Sequence, residues 1–134
     1  MSAADFFDTN VLLYLLSADA AKADRAEQLV ATGGIVSVQV LNEFASVARR
    51  RLRMPIAEIK VILSTIRSIC TVKPLDVETH ELGLDLAERY RYSIYDCFIL
   101  AAALRAGCSI LYSEDLQHKQ QIDRLTIVNP FRNM

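Results

Sequence analysis

The sequence predicts an α/β domain, a three-layer α/β/α sandwich around a short, mostly parallel central sheet of four or five strands. Short apolar segments with the length of buried strands alternate along the chain with longer segments whose apolar residues recur at helical spacing. Strands separated by helices pair in parallel and leave the helices on both faces of the sheet. The sequence contains no repeat, linker or low-complexity tract, so we expect a single domain over residues 1–134.

The predicted strands and helices follow one another along the chain. We expect strands at residues 4–7, 35–37, 71–75, 109–112 and 126–128, and helices at residues 10–16, 20–32, 38–53, 56–69, 77–91 and 94–106. Gly33-Gly34 and Gly107 end the helices before them, because glycine readily adopts the left-handed conformation of a helix C-terminus. Pro55 ends the third helix, since the residue before a proline disfavours the helical conformation. Asp76 and Ser93 begin helices as capping residues.

The first strand runs directly into three polar residues. Asp8, Thr9 and Asn10 follow the apolar pair Phe6-Phe7. Each of these polar side chains can bond a free backbone N–H, so they predict the start of the first helix. Asp8 therefore lies at the carboxyl end of a strand, which is where open α/β sheets bind ligands.

Composition restricts the class of protein. Hydrophobic residues make up 52% of the chain and charged residues 23%, as in a globular domain. The net charge of −1 gives no general attraction for nucleic acid, so any such binding needs a local basic patch. No apolar run has the length of a membrane span, and no basic region precedes the first apolar run as in a signal peptide. Cys70, Cys97 and Cys108 lack metal-type spacing and are expected to be reduced core thiols of a cytoplasmic protein.

Four acidic residues are candidates for one shared site. Asp8 and Asp115 each follow a predicted strand, so both point to the same edge of the sheet. Asp96 begins the most apolar helix in the chain, and Glu43 lies among apolar residues of the third helix. Each acid has an ordinary explanation as well. Asp8 could be a helix cap, Asp115 a turn residue and Asp96 an acid that suits the first turn of a helix. Glu43 could lie at the edge of the core and pair with Arg50.

A cluster of these acids would imply a divalent cation. Four carboxylates in a site of low dielectric repel one another strongly unless a cation neutralises them. Oxygen ligands without nearby His or Cys favour Mg²⁺, or Mn²⁺, over Zn²⁺. His80 and His118 have no spacing that marks a ligand pair, and we expect both at the surface or in turns.

Four segments of the chain form a characteristic set: FDTNVL at 7–12, VQVLNEF at 38–44, YDCFILAAA at 95–103 and LYSEDL at 111–116. These segments resemble those of the PIN-domain ribonucleases, and especially the toxins of VapBC-type (type II) toxin–antitoxin modules, of which the closing VNPF at 128–131 is also typical. They come in the family's order and span most of the chain.

The resemblance implies a PIN-like fold and assigns roles to particular residues. It makes Asp8, Glu43, Asp96 and Asp115 the catalytic, metal-binding acids, with Glu114 as an alternative to Asp115. Thr9, Asn10 and Ser113 match the polar residues that support these acids.

The resemblance further implies a Mg²⁺-dependent endoribonuclease. A metal held by these acids would lower the pKa of a bound water for in-line attack on an RNA phosphodiester. By the resemblance, the products would carry a 5′-phosphate and a 3′-hydroxyl. The expected partners are the RNA substrate, a cognate antitoxin and a second copy of the chain. Residues 12–16 and 56–69 carry apolar surface that such partners could cover, although burial in the core is the default explanation for it.

One basic run is a candidate RNA contact. Arg49, Arg50 and Arg53 lie near the end of the third helix, with Arg50 placed to face Glu43. Cations also suit the negative end of a helix without any ligand, so both explanations stand. Lys22 and Arg25 are weaker candidates.

Three other functions fit part of the pattern. A response-regulator receiver domain has a similar length but needs adjacent acids after the first strand and a lysine near the last. A haloacid-dehalogenase-type phosphatase needs a second Asp where this chain has Asn10. A PIN fold could also serve only as a non-catalytic module that binds RNA or protein.

Overall fold

The computed structural model describes residues 4–134, so residues 1–3 of the predicted domain lie outside the described residues. The strands are β1 (Phe6–Phe7), β2 (Ile35–Ser37), β3 (Thr71–Lys73), β4 (Ile110–Tyr112), β5 (Gln121–Ile122) and β6 (Leu125–Val128). The helices are α1 (Thr9–Leu13), α2 (Ala20–Ala31), α3 (Val38–Arg50), α4 (Ile56–Ile69), α5 (Val77–Arg89) and α6 (Ile94–Arg105), and a 3₁₀ turn at Tyr14–Leu16 continues α1. The predicted α/β/α class with a mostly parallel sheet is confirmed.

The sheet has the strand order β3-β2-β1-β4-β6-β5, with every pair parallel except β5 and β6. At the centre, Phe6 of β1 is in register with Ile35 of β2 on one side and Leu111 of β4 on the other. From β1 the chain first builds outward through β2 and β3, then crosses to β4 on the opposite side. This switch point opens a crevice beyond the carboxyl ends of β1 and β4, where α/β sheets bind ligands.

The strand order also decides against one alternative. A receiver domain has the order 2-1-3-4-5, in which the third strand lies beside the first. Here β4 lies beside β1, and β3 lies at the edge of the sheet. The receiver-domain alternative is therefore wrong.

The predicted strand at residues 71–75 ends at Lys73, and two larger differences from the prediction involve left-handed residues. The predicted third helix extends to residue 53, whereas α3 ends at Arg50, and Arg53 has a φ of 54° that turns the chain. Strand β5 was not predicted. It forms a tight hairpin with β6 through Asp123, whose φ is 53°. Both turns use a non-glycine residue in a conformation that glycine usually supplies, so no glycine marked the position of either turn.

The core contains the residues that the apolar pattern predicts. Phe6, Phe7 and Phe44 are almost completely buried, as is every residue of α6 from Cys97 to Ala103. The three cysteines are free and buried, as expected. Helix α4 buries part of its apolar stripe but leaves Val61 66% exposed. Among the described residues, no helix is both long and apolar enough to cross a membrane.

A glycine beside β1 is required for close packing. A Cβ at Gly34 would lie 2.6 Å from the Phe7 ring and 2.8 Å from the carbonyl oxygen of Asp5. We expect Gly34→Ala to lower the free energy of unfolding by roughly 3 kcal/mol, the upper part of the range for overpacked cores, because neither neighbour can move without displacing β1. Urea unfolding monitored by circular dichroism measures the change.

Gly107→Ala is the matched control. The added methyl group at Gly107 meets nothing within 4 Å, so only the φ of +74° carries a cost, roughly 1 kcal/mol. Equal stabilities of Gly34→Ala and the unmodified chain would show that β1 is not held as the structure describes.

Candidate active site

Asp8 lies at the centre of the candidate site, at the carboxyl end of β1 and at the start of α1. Its Oδ1 accepts a 2.7 Å hydrogen bond from the Thr9 N–H, so Asp8 is the N-cap of α1 as well. Its own N–H donates to the carbonyl oxygen of Tyr112 at the end of β4. The residue is only 3% exposed. A carboxylate this deeply buried needs hydrogen bonds or a cation to offset its lost hydration.

Ser113 connects the end of β4 to Asp8. Its hydroxyl donates to Asp8 Oδ2 at 2.7 Å and accepts from the N–H groups of Asp115 and Leu116 at 3.2 and 3.3 Å. The side chain of Ser113 is completely buried. One hydroxyl therefore orients the Asp8 carboxylate and holds the turn that carries Asp115.

Asn10 lies between two of the predicted acids. Its Nδ2 is 3.3 Å from Asp8 Oδ2 and 3.2 Å from Asp115 Oδ2, while its Oδ1 accepts a 3.0 Å hydrogen bond from the Glu114 N–H. An amide group donating to both carboxylates reduces the repulsion between them. Asn10 thus brings Asp8 and Asp115 to one side of the crevice.

Asp96 is close enough to these two acids for their charges to interact. It lies in the first turn of α6, where its N–H donates to the capping hydroxyl of Ser93 at 3.1 Å. Burial raises the pKa of Asp96, and the charge of Asp115 raises it further. Burial also raises the pKa of Asp8 to about 7, against the opposing hydrogen bonds from Ser113 and Thr9, with smaller upward contributions from Asp96 and Asp115. Three of the four predicted acids therefore form one electrostatically coupled group.

Glu43, the fourth acid, is connected to this group through Thr9. The Thr9 hydroxyl donates to Glu43 Oε1 at 3.3 Å, and the Gln39 amide donates to Glu43 Oε2 at 2.8 Å. The alternative in which Arg50 pairs with Glu43 is wrong, since Arg50 Nε donates to Ser46 Oγ and no Glu43–Arg50 ion pair exists within residues 4–134. Gln39 was not predicted, although its position one turn before Glu43 was a usable signal.

Glu114 has partners of its own away from the other acids. Its carboxylate accepts a hydrogen bond from the Tyr14 hydroxyl and pairs with Lys22 Nζ at 3.5 Å. The Lys22 ammonium also lies 4.8 Å from the centre of the Tyr14 ring. Glu114 is thus bound to the segment that follows α1, and Asp115 is the acid that shares Asn10 with Asp8. Lys22, a weak RNA-contact candidate, instead contacts Glu114.

Two neighbouring clefts open onto the acids. The α3–α6 cleft, of about 420 Å³, lies between α3 and the start of α6 and includes Glu43, Arg50, Tyr95 and Asp96. The second cleft, of about 370 Å³, includes Asn10, Glu114 and Asp115 together with Arg51 and the apolar Leu13, Leu16 and Leu52. Val47 lines both clefts, so they lie side by side.

The basic residues differ in their relation to the clefts. Of the three predicted RNA contacts, Arg50 lines the α3–α6 cleft, whereas Arg49 donates to the carbonyl oxygen of Met54 and Arg53 lies in the turn after α3. A third cleft, of about 520 Å³, joins Asp115 to Arg89 and Arg91, which were not predicted. These two arginines lie more than 20 residues from Asp115 in sequence, so no local pattern indicated that they share a cleft with it.

The acids supply the right ligand chemistry for a divalent cation, but their side chains do not converge on one point. Within residues 4–134, no three Asp, Glu, His or Cys side chains are placed to hold one metal ion together. The donor set nevertheless consists of carboxylate, hydroxyl and amide oxygens, which is the chemistry that suits Mg²⁺ or Mn²⁺. The backbone brings these residues to one crevice, and their side chains must rearrange for joint coordination.

Comparisons with known proteins agree with this fold. The family model described as the PIN domain matches residues 6–123. No curated relative matches the chain.

Three solved structures illustrate the likeness. VapC20 of Mycobacterium tuberculosis, described as a sarcin-ricin loop cleaving toxin, is 23% identical over 81% of this chain and 88% of that chain, with a TM-score of 0.67. A toxin–antitoxin complex from Klebsiella pneumoniae is 20% identical over 97% of this chain and 98% of that chain, with a TM-score of 0.71. DNA-bound VapBC from Salmonella typhimurium is 18% identical over 95% and 97% of the two chains, with a TM-score of 0.70. Likeness at these identities establishes the shared fold.

Proposed function

The chain belongs to the PIN-domain family, and from this premise we propose that it is a metal-dependent endoribonuclease and the toxin of a type II toxin–antitoxin pair. The observation that carries the proposal is that Asn10 bonds both Asp8 and Asp115 at the switch point of the sheet, and that Thr9 links Asp8 to Glu43. Asp96 is near enough for its charge to raise the pKa of Asp8. A helix cap or a turn needs one acid. Four acids at one crevice are what a cation-dependent reaction on a phosphodiester needs.

The proposed ligands are Asp8, Glu43, Asp96 and Asp115. Mg²⁺, or Mn²⁺ in its place, would lower the pKa of a bound water and stabilise charge on the phosphoryl oxygens. Thr9, Asn10 and Ser113 hold the carboxylates of Asp8, Glu43 and Asp115 through the hydrogen bonds described above. Glu114 is the weaker candidate for the fourth ligand, because Tyr14 and Lys22 already bind its carboxylate.

Arginines at the rims of the clefts suit the phosphates of an RNA strand. Arg50 lines the α3–α6 cleft, and Arg51 lines the second cleft. Their guanidinium groups supply positive charge on either side of Val47 and beside the acids. This placement supports RNA as the substrate despite the net charge of −1.

The proposed protein partners are a cognate antitoxin and a second copy of the chain. Two of the similar structures are a toxin–antitoxin complex and a DNA-bound VapBC complex. The second cleft combines leucine side chains with Glu114 and Asp115, which suits an antitoxin segment that carries apolar residues and a basic side chain. Exposed Ile56 and Val61 of α4 offer an apolar surface for a homodimer. We place the pair in the cytoplasm, in keeping with three free buried thiols.

Cleavage that depends on a divalent cation tests the proposal directly. We expect the purified chain to cut a fluorogenic RNA in Mg²⁺ or Mn²⁺ and to lose this activity in EDTA, because the proposed reaction needs the cation to lower the pKa of the attacking water. Adding Mg²⁺ in excess of EDTA should restore cleavage. The products should carry 5′-phosphates, which end-labelling with and without phosphatase treatment will show.

The same assay separates an enzyme from a binding module. RNA that the chain binds without cleaving, with either metal, would indicate the non-catalytic alternative. The phosphatase alternative has no support, since the family match is to the PIN domain and Asn10 occupies the position of the second Asp.

A further inference from the structure

Tyr95 is an exposed aromatic residue directly beside Asp96, and the hydrogen bonds of the acid group do not use it. We propose that its ring is a stacking platform for one base of the RNA strand next to the bond that is cut. The inference rests on the proposed ribonuclease function and adds a substrate-binding residue to it.

The ring of Tyr95 is open to solvent at the start of α6, as is the side chain of its neighbour Ile94. Tyr95 is 63% exposed in the first turn of α6, whereas Cys97 and the following residues of that helix are buried. Large aromatic side chains contribute most when they are covered, so a tyrosine held open beside a buried acid site is suited to contact a ligand. Within the described residues its hydroxyl makes no hydrogen bond that would account for the position.

A buried neighbour supports the ring of Tyr95. Phe98, one turn along α6, meets it edge to face, with ring centres 6.1 Å apart and planes at 78°. Phe98 is itself 9% exposed and also packs against the imidazole of His80, with ring centres 5.2 Å apart. The supported ring loses little further freedom when a base stacks on it, which favours binding.

The cleft that contains Tyr95 has the other groups that a nucleotide needs. Arg50 lies across the cleft on α3, where its guanidinium can meet a phosphate. The exposed polar side chains Asn42 and Ser46 line the same cleft and can bond the edge of a base. Its volume of about 420 Å³ lies in the usual range for small-ligand sites, roughly 300–1,000 Å³.

Single-stranded RNA is the occupant that this set of groups favours. Unpaired bases are recognised by stacking on aromatic rings and by hydrogen bonds to their edges, while arginines take the phosphates. Glu43 and Asp96 lie in the same cleft, so a base on Tyr95 would leave its neighbouring phosphate close to the acids. The cleft would therefore position the strand for cleavage as well as bind it.

Replacing the ring tests the proposal without removing an acid. We expect Tyr95→Ala to weaken binding of a single-stranded RNA decamer by roughly tenfold, the effect of losing one base stack, and Tyr95→Phe to bind like the unmodified chain. With the acids intact, the loss in Mg²⁺-dependent cleavage should appear as a higher KM. Ile94→Ala is the matched control, because Ile94 is an exposed neighbour on the same turn that does not line the cleft.

The fluorescence of a modified base reports stacking directly, and it would not change if Tyr95 only stabilised the fold. Decamers with 2-aminopurine at each position in turn, bound in EDTA so that none is cut, should show quenching at one or two positions. Tyr95→Phe and Ile94→Ala should keep the quenching, and Tyr95→Ala should lose it while its melting temperature stays close to that of the unmodified chain.

The outcomes separate this inference from the proposed function. If the unmodified chain cuts RNA and Tyr95→Ala keeps both its KM and its quenching, Tyr95 is not a stacking platform and the ribonuclease proposal stands. If the unmodified chain neither binds nor cuts RNA in Mg²⁺, the proposed function and the inference are both overturned.

Discussion

Asp96→Asn is expected to reduce Mg²⁺-dependent RNA cleavage by a factor of about 100 or more while the fold remains intact. Loss of a residue that only supports a metal ligand commonly costs 10- to 100-fold, so loss of a proposed ligand should cost at least that much. The charge of Asp96 is coupled to that of Asp115, and a neutral amide cannot help to neutralise a cation. Ser93, whose hydroxyl caps α6, is unchanged, so α6 should form normally. Initial rates at saturating Mg²⁺ and circular dichroism measure the two effects.

Two further variants make this result specific. Asp85→Asn removes an exposed acid from α5 and should leave the rate unchanged. Glu114→Gln should have a much smaller effect than Asp115→Asn, because the Glu114 carboxylate is bound by Tyr14 and Lys22. Metal-dependent cleavage by Asp96→Asn at the normal rate would disprove the ligand assignment.

The second large effect is expected in the stability of the metal-free chain as a function of pH. Burial raises the pKa of Asp8 to about 7, from 3.8 in an unstructured chain. Between these two values the folded chain holds a proton on Asp8 that the unfolded chain has lost. The free energy of unfolding should therefore fall as the pH rises from about 4 to 7, and the full cost of the buried charge is present above that range.

Asp8→Asn should remove this pH dependence, since an amide does not titrate. In EDTA, we expect the stability of the unmodified chain to fall relative to that of Asp8→Asn by roughly 2–3 kcal/mol between pH 5 and pH 8. Urea unfolding of both proteins at the two pH values gives the comparison. A difference in stability that is the same at both pH values, such as one from changed hydrogen bonds to Ser113, cancels when the two pH values are compared. Parallel stabilities at both pH values would contradict a protonated, buried Asp8.

Mg²⁺ should raise the free energy of unfolding that the metal-free chain loses as the pH rises. A cation that binds only the folded chain raises its stability by mass action. At pH 8 we expect Mg²⁺ to stabilise the unmodified chain and to have little effect on Asp8→Asn. Thermal unfolding with and without Mg²⁺ shows this independently of any RNA substrate.

Much of the fold could be predicted because its signals are local. Strand β2 and helix α4 have the predicted boundaries, since glycines precede one and a proline precedes the other. The caps at Asp76 and Ser93 make the expected hydrogen bonds to backbone N–H groups three residues later. The end of α3 and the hairpin of β5 and β6 depend on left-handed turns at Arg53 and Asp123, where no glycine marked the conformation.

The candidate site divides in the same way. The sequence by itself determined that Asp8 follows a buried strand and caps a helix, and that Asp96 begins an apolar helix, because both features depend on adjacent residues. It also indicated Glu43 and Asp115 through short family-like segments.

Only the tertiary structure decided how these acids are connected. Ser113 bonds Asp8 across 105 residues of chain, and Thr9 bonds Glu43 across 34. The Glu114 carboxylate bonds Tyr14, whereas the carboxylate of the adjacent Asp115 bonds Asn10. Helical spacing allowed Glu43 to pair with Gln39 or with Arg50, and in the folded chain Glu43 accepts hydrogen bonds from Gln39 and, across the fold, from Thr9. Periodicity and capping act over a few residues, whereas the partners of a buried charge come from whichever strands and helices the sheet brings together.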